Sequence, residues 1–139
     1  MAVLTKSIKL NTRGNNDIID ITQDVRKNLR ETNLQNGVVT VFCPGSTGGI
    51  TTVEYEPGLV RDVKDFFEEI APQGKVYQHN VSHGDGNGHA HVRATLLGPS
   101  LSVPFVNGEL TVGVWQQIIF IDFDTRPRRR ELVMQVVGE

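Results

Sequence analysis

The feature that most constrains the fold is an amphipathic helix that the sequence predicts over residues 57–70, between segments with strand patterns. Its apolar side chains share one helical stripe, which comprises Leu59, Val63, Phe66, Phe67 and Ile70. Pro57 lies in the first turn, where its missing N–H costs no helical hydrogen bond, and Pro72 ends the helix. We therefore expect a core helix that packs its stripe on a sheet.

Strand patterns precede this helix. Alternating or β-branched apolar residues predict strands at 4–10, 18–21, 38–42 and 50–55. Thr22 is the expected N-cap of a short helix that carries Val25 and Leu29 on one face.

The second half of the chain is mostly β in pattern. Asn107-Gly108 is a strong hairpin signal after a strand at Ser100–Val106. Leu110–Asp124 has apolar residues at both odd and even positions. This pattern predicts one long strand, either buried on both faces or bent by a bulge at Gly113. A last strand is expected at Glu131–Val137.

This order of elements predicts one α+β domain over residues 1–139, with a bent mixed or antiparallel sheet packed with two or three helices. Strands this apolar leave more apolar surface exposed than two or three helices can cover, so we expect a homo-oligomer.

Charge and composition exclude several classes of protein. The chain has 14 Lys and Arg against 16 Asp and Glu, which disfavours nucleic-acid binding driven by bulk charge. No apolar run is long enough to span a membrane, and the first ten residues lack a signal-peptide pattern. A single cysteine, Cys43, excludes a disulfide framework, and we expect it to be a small buried residue. We expect a cytoplasmic protein.

All four histidines lie within thirteen positions, at His79, His83, His89 and His91. Imidazole binds zinc and titrates near neutral pH, so the cluster is a candidate for metal binding or acid–base catalysis. The alternative is a solvated loop, which the three glycines between His83 and His89 favour.

The spacing of the last two histidines matters for any metal site. Asn87 as an N-cap and Gly98-Pro99 as a stop favour a helix over residues 88–97. On a helix His89 and His91 lie ~200° apart, so one would join His79 and the other would face a neighbour or a partner subunit. On a strand both would instead share a face with Arg93.

Two glycine-rich segments could hold an anion. Residues 84–88 precede the predicted helix, whose N-terminal N–H groups attract negative charge, although Asp85 would repel a phosphate unless a metal or Arg93 compensated it. Residues 44–52 lack a P-loop ending but offer hydroxyls and amides, and the alternative for them is a flexible connection.

The arginines of residues 126–130 have no interleaved aromatic residues, so we interpret them as a solvated turn or an inter-subunit salt-bridge patch. Trp115 is interpreted as a core or interface residue.

A family resemblance joins these motifs. The segment GDGNGHAHVRATLLGPSLSVPFVNGELTVGVWQQIIFIDFD, followed by RRRELVMQVVGE, resembles the C-terminal half of the YjbQ family, also called the secondary thiamine-phosphate synthase family. The resemblance extends back through residues 77–80, the amphipathic helix and Ile50-Thr51, and so covers nearly the whole chain.

The resemblance implies an α+β fold with a bent, bifurcating sheet, a homotrimer, and histidines near subunit contacts. It also implies a weak thiamine-phosphate synthase activity, which joins a pyrimidine pyrophosphate to a thiazole phosphate; many members have no known function. The positions that correspond to the family motifs are His79, Asp85, Asn87, His89, His91, Ser46, Thr47, Thr51 and Glu54.

One departure concerns the family pattern Pro-His-Thr-Thr-Ala-Ala, which an Asn-Glu pair follows. Here Gly45 replaces the histidine and Val53 the asparagine. A zinc site would then use His79, one of His89 and His91, and a carboxylate or water. His83 could substitute only if its loop folded inward.

These observations lead to two functional hypotheses. The first is an enzyme-like metal or phosphate pocket with thiamine-phosphate synthase chemistry. Its catalytic residues would be His79, His91 and Asp85, its metal ligands, for zinc, His79, His89 and His91, and its substrate or anion contacts Ser46, Thr47, Thr51, Asn87, Gly88 and Arg93. The second is a non-catalytic trimeric protein that binds a small anion or metabolite, which Gly45 favours.

Overall fold

Eight strands form two antiparallel sheets against which four helices pack, in a computed structural model that describes residues 1–139. The elements are β1 (Ala2–Thr12), β2 (Asp17–Asp20), α1 (Thr22–Thr32), β3 (Gly37–Phe42), β4 (Gly48–Val53), α2 (Pro57–Ile70), α3 (Gln78–His83), α4 (Gly88–Leu97), β5 (Ser100–Val106), β6 (Glu109–Leu110), β7 (Gln117–Asp122) and β8 (Arg128–Gly138). The α+β prediction is confirmed, with two sheets in place of one and four helices in place of two or three.

The larger sheet has the order β1-β8-β3-β5-β6, and the smaller has the order β2-β7-β4. In β8 every second residue is buried, including Leu132, Met134 and Val136, as expected for a strand with one face on a core. Val25 and Leu29 of α1 pack into the same core. The helix α1 therefore covers one face of the larger sheet.

The strand β7 lies between two cores, which explains why it is apolar on both parities. Ile118 and Phe120 point into the core beneath α1. Ile119 and Ile121 point to the opposite side, where Phe67 of α2 and residues of α4 pack. The prediction of a strand buried on both faces is thus confirmed for β7.

The prediction of one strand over Leu110–Asp124 is wrong. The strand β6 ends at Leu110, and a loop leads to β7, where Gln116 accepts the N–H of Gly113 and donates its own N–H to the Gly113 carbonyl. This turn, rather than a bulge, interrupts the pattern. It leaves Trp115 72% exposed, so the tryptophan is not a core residue.

The helix α2 matches its predicted bounds, and the Glu56 carboxylate caps it by accepting the N–H groups of Gly58 and Leu59. Only Phe67 of its stripe is buried, and Phe66 stays 53% exposed, because α2 lies at the margin of the second core. The expectation of a core helix is therefore wrong for Phe66 and Ile70, two of the five residues of the stripe.

Other local predictions have mixed outcomes. The hairpin is confirmed, with Asn107 and Gly108 both at positive φ. Thr22 is not an N-cap: its hydroxyl donates to Asp20 and accepts the N–H of Ile118, which ties β2, α1 and β7 together. Cys43 is buried as predicted, and burial raises the pKa of its thiol. The helix α3 has no counterpart among the predicted elements.

The outer face of the larger sheet has no helix over it. The strand register aligns Val3, Val137, Val38 and Pro104 in one row across four strands, and all four are exposed. Among the helices, none has the length and apolar character that crossing a membrane requires.

Candidate functional site

A cavity of about 560 Å³ opens where the β3–β4 loop, the segment before α4 and the β7–β8 turn meet. Its lining comprises Pro44, Gly45, Ser46, Thr47, Asp85, Asn87, His91, Asp124, Thr125, Arg126, Arg128 and Arg130. Apart from Pro44, every lining side chain is polar or charged, or is absent because the residue is glycine. The cavity is therefore suited to a polar, charged ligand.

A buried ion pair between Asp122 and Arg130 forms its base. The Asp122 carboxylate accepts from Arg130 Nε at 2.9 Å and Nη2 at 2.8 Å, from the Thr12 hydroxyl at 2.6 Å and from the Asp124 N–H at 2.9 Å. Burial alone would raise the pKa of Asp122, but the hydrogen bonds from Arg130 and Thr12 outweigh it and hold that pKa below its ordinary value. The carboxylate is thus ionised and fully satisfied.

Arg130 keeps part of its guanidinium free. Nη2 also donates to the Thr47 hydroxyl at 2.8 Å, while Nη1 has no hydrogen-bond partner in the protein. Gly45, another lining residue, is nearest on that side: a Cβ there would lie 3.4 Å from Nη1. Two N–H donors of a side chain that is only 7% exposed are therefore available to a ligand.

Asp124 is the second buried carboxylate, and it organises the opposite part of the wall. Its oxygens accept from the Thr125 N–H at 2.8 Å, the Thr47 hydroxyl at 3.2 Å, the Asn87 amide at 3.4 Å and the Arg128 guanidinium. Burial raises the pKa of Asp124 and these donors lower it, with a net pKa below the ordinary value. No lone pair of Asp124 is left for a ligand hydroxyl without displacing one of these donors.

The ionised Asp124 also fixes the orientation of Asn87 and the proton on His79. A carboxylate only accepts, so Asn87 turns its amide nitrogen to Asp124 and its oxygen to His79 Nε2, 3.1 Å away. An amide oxygen cannot donate, so His79 Nε2 carries a proton. Asp85 Oδ1 lies 3.3 Å from the same nitrogen.

Three of the four histidines form one cluster beside the cavity. The ring of His79 stacks on His83, with centroids 4.6 Å apart, and meets His91 at 4.4 Å. Only His91 lines the cavity, and burial together with His79 lowers the pKa of His91. This imidazole is therefore neutral at pH 7 and can accept a proton.

His89 lies on the other side of α4, as helical spacing predicts. It is buried, its ring centroid is 6.5 Å from that of Tyr77, and its Nδ1 has no hydrogen-bond partner. Burial, with Arg93 adding to it, lowers the pKa of His89. The prediction that one histidine joins His79 and the other faces a neighbour is confirmed, with His91 in the first role.

The predicted zinc ligands do not assemble as a set of three. His79 and His91 are adjacent, but His89 is not with them, and nowhere do three His, Cys, Asp or Glu side chains gather closely enough to hold a metal. His79 Nε2 is moreover committed as a donor. The three histidines predicted as ligands therefore do not form one zinc site, and a bound zinc ion stays a prediction for elemental analysis.

The predicted site residues divide into two groups. Ser46, Thr47, Asp85, Asn87 and His91 line the cavity, and His79 contacts two of them from behind. Thr51, Glu54, Gly88, His89 and Arg93 do not line it.

Arg93 and Gly88 have structural roles instead of anion contacts. Arg93 is buried and donates to the Ala71 carbonyl, Asn16 and Glu68, which joins α4 to α2. The Gly88 N–H donates to Asn80 at 2.8 Å, and a Cβ at Gly88 would lie 2.5 Å from Tyr77 Cβ. Glycine is required there because α3 and α4 approach closely.

The sequence interpretation missed the cationic wall. Arg128 and Arg130 pair with buried aspartates, so a solvated turn is the wrong interpretation for them. The available signal was alternation: Asp122, Asp124, Arg126, Arg128 and Arg130 occupy every second position. Residues at i and i+2 of a strand share a face, which would have placed Arg128 and Arg130 together; the turn between β7 and β8 brings them to the aspartates.

The lowered pKa values of His89 and His91 predict an acid-sensitive fold. Between the folded pKa and the ordinary value of 6.5, the unfolded chain binds more protons, so the free energy of unfolding is highest above pH 6.5 and falls as pH decreases. The slope is at most about 1.4 kcal/mol per pH unit for each histidine. Urea unfolding between pH 7.5 and 5.5 should show this fall, and His89→Leu should reduce it. Equal slopes in both proteins would contradict the assignment.

Comparison with known proteins agrees with this fold. A family model described as UPF0047 protein YjbQ-like matches residues 6–139. The chain is 38% identical over 130 residues to a UPF0047 protein of Archaeoglobus fulgidus, covering 94% of this chain and 98% of the relative. It is 34% identical over 137 residues to UPF0047 protein YugU of Bacillus subtilis, covering 97% and 100%.

Solved structures have the same architecture. A YbjQ-like protein of unknown function from Sulfolobus solfataricus superposes with a TM-score of 0.94 at 30% identity, covering 99% of both chains. An uncharacterised YjbQ/UPF0047 protein from Clostridium acetobutylicum gives a TM-score of 0.87 at 34% identity, covering 95% of this chain and 99% of the other. The chain belongs to the YjbQ/UPF0047 family, whose function is uncharacterised.

Proposed function

We propose that the protein binds a small phosphorylated metabolite in the polar cavity. The observation that carries this proposal is the free Nη1 of buried Arg130, which shares the cavity wall with Arg126 and Arg128. Guanidinium groups bind phosphate through paired, charge-assisted hydrogen bonds. Asp122 at the base, Asp85 and Asp124 balance the charges of the three arginines, so the support comes from the unpaired donors of Arg130 and Arg126 rather than from an excess of positive charge.

Preorganisation supports the same function. Asp122 and Thr47 hold Arg130 in place before any ligand arrives, so little side-chain entropy is lost on binding. Arg126 has no hydrogen bond or ion pair of its own and is free to close on a phosphate. The volume of about 560 Å³ lies within the usual range for small-molecule sites.

Arg126→Ala should weaken the binding of inorganic phosphate by about tenfold or more, because a hydrogen bond to a charged group is lost. Arg129→Ala is the matched control, since Arg129 is exposed, lies three residues further along at the start of β8 and does not line the cavity. Calorimetric titration at fixed ionic strength measures both. Equal losses, or no saturable phosphate binding by the unmodified protein, would contradict the proposal.

A second candidate is transferase chemistry of the thiamine-phosphate synthase type, which the family resemblance implies. The observation that favours it is neutral His91 in a wall that also carries Asp85 and three arginines. The pyrophosphate that leaves in such a reaction needs cationic contacts, and guanidinium groups fixed in advance supply them. His79 would keep Asn87 and Asp124 aligned behind this wall.

If this chemistry occurs, His79→Ala should abolish product formation from the pyrimidine pyrophosphate and the thiazole phosphate while circular dichroism stays unchanged. His83→Ala is the control, because His83 contacts the cluster only by stacking on His79. The assay should be run with and without zinc, after elemental analysis of the purified protein. Undiminished turnover in His79→Ala would refute the role of His79; phosphate binding without any product would leave the binding function alone.

We propose further that the chain forms a homotrimer through the outer face of the larger sheet, where the Val3, Val137, Val38 and Pro104 row is exposed. Light scattering should give three times the 15.4 kDa of one chain. Val38→Lys should dissociate the assembly, because it places a charge in the middle of the row. Asn11→Lys, at the polar end of the same face, should not. A monomeric unmodified protein would overturn this proposal.

A further inference from the structure

Building on the proposed phosphate-binding function, and against the transferase candidate, we infer that the ligand is a phosphorylated polyol, such as a sugar phosphate, rather than an aromatic phosphate or a polyphosphate. The cavity walls separate two kinds of chemistry. Arg126, Arg128 and Arg130 come from the β7–β8 turn and the start of β8, and they receive the phosphate. Asp85 and Ser46 come from other segments, and they receive hydroxyl groups.

The composition of the wall excludes a large apolar or aromatic group. His91 carries the only ring in the lining apart from the pyrrolidine of Pro44, and no aliphatic side chain faces the cavity. Sites for aromatic ligands are lined mainly by hydrophobic and aromatic side chains, which replace the water that the ring loses. A phenyl ring in this cavity would instead bury hydrogen-bonding groups of the wall without partners, which is unfavourable.

The cavity has room for more than a phosphate ion. At about 30 Å³ per molecule, a cavity of about 560 Å³ has room for about 19 waters. Because the walls are polar, those waters are hydrogen-bonded to them. The hydroxyl groups of a polyol can replace such waters with hydrogen bonds of similar quality, which an apolar group cannot do.

Asp85 selects against a second phosphate. Its side chain is 55% exposed, and its one polar contact is His79 Nε2 at 3.3 Å, so most of its acceptor capacity is free. The other lining carboxylate, Asp124, is saturated by protein donors. A free carboxylate accepts hydrogen bonds from hydroxyl groups and repels a second anionic group. The ligand therefore has one phosphate and a neutral hydroxylated end.

Gly45 makes the phosphate end accessible. Its φ of +138° disfavours other residues, and any side chain there would begin 3.4 Å from Arg130 Nη1. The missing side chain leaves the two free donors of Arg130 open to the cavity.

The test compares four probes by calorimetric titration at fixed ionic strength: inorganic phosphate, pyrophosphate, glucose 6-phosphate and phenyl phosphate. Glucose 6-phosphate should bind about tenfold or more tightly than phenyl phosphate, since one added hydrogen bond to a charged group accounts for that factor. Asp85→Ala should weaken the binding of glucose 6-phosphate by a similar factor. It should leave the affinity for inorganic phosphate unchanged or higher, and it should raise the affinity for pyrophosphate. Asp62→Ala, exposed on α2, is the matched control.

The outcomes separate the two proposals. If the unmodified protein does not bind inorganic phosphate, the proposed function itself fails. If phosphate binds but phenyl phosphate is bound as tightly as glucose 6-phosphate, the polyol inference is overturned and the anion site stands. An equal effect of Asp85→Ala on all four probes also overturns it, because Asp85 would then act on the loop rather than on the ligand. Circular dichroism of each variant excludes unfolding as the cause.

Discussion

The rest of the structure depends on the buried ion pair between Asp122 and Arg130. Asp122 ends β7 of the smaller sheet, and Arg130 lies in β8 of the larger one, so the pair fixes how the two sheets meet. Loss of one partner would leave a buried, unpaired charge at a cost of about 3–5 kcal/mol. The desolvation of both groups offsets much of their attraction, so the pair contributes less to net stability than to the fixed arrangement of the sheets. Thr12 and Thr47 bring β1 and the β3–β4 loop to the same point.

The same pair sets the chemistry of the cavity. Because Asp122 and Asp124 are ionised and only accept, every donor around them has one allowed orientation. Arg130 turns Nε and Nη2 inward and leaves Nη1 to the cavity, and Asn87 presents its oxygen to His79. Hydrogen bonds in such a buried network strengthen one another. The donors that face a ligand are therefore fixed in advance by Asp122 beneath the cavity and by Thr47 and Asp124 in its wall.

Local signals in the sequence were enough for elements whose cause is local. The amphipathic stripe of residues 57–70, the Asn107-Gly108 turn and the opposite sides of His89 and His91 all follow from neighbours along the chain. The roles of the arginines could not be predicted in this way. Arg93 is an isolated charge in the sequence and Arg130 belongs to a charged run, yet both are buried: the first meets Glu68 and the Ala71 carbonyl, and the second meets Asp122. Only the packing of elements that are distant in sequence decides whether such an arginine has a structural role or faces the cavity.

The long apolar run at Leu110–Asp124 failed as a strand for a related reason. The hydrophobicity of a residue does not determine whether that residue is buried. Trp115 is a large apolar residue of the kind usually found in a core, yet it lies exposed in the loop before β7.

The departure at Gly45 has a different meaning in the structure than in the sequence. As a missing histidine it removes a ring nitrogen from a supposed metal or acid–base site. In the folded chain it also removes the side chain that would lie in front of Arg130 Nη1, and so exchanges an imidazole for an open guanidinium edge. A guanidinium group binds phosphate, but it stays protonated near neutral pH and cannot act as a general base. The proposed binding of a phosphorylated ligand depends on this open guanidinium edge and not on an imidazole at position 45.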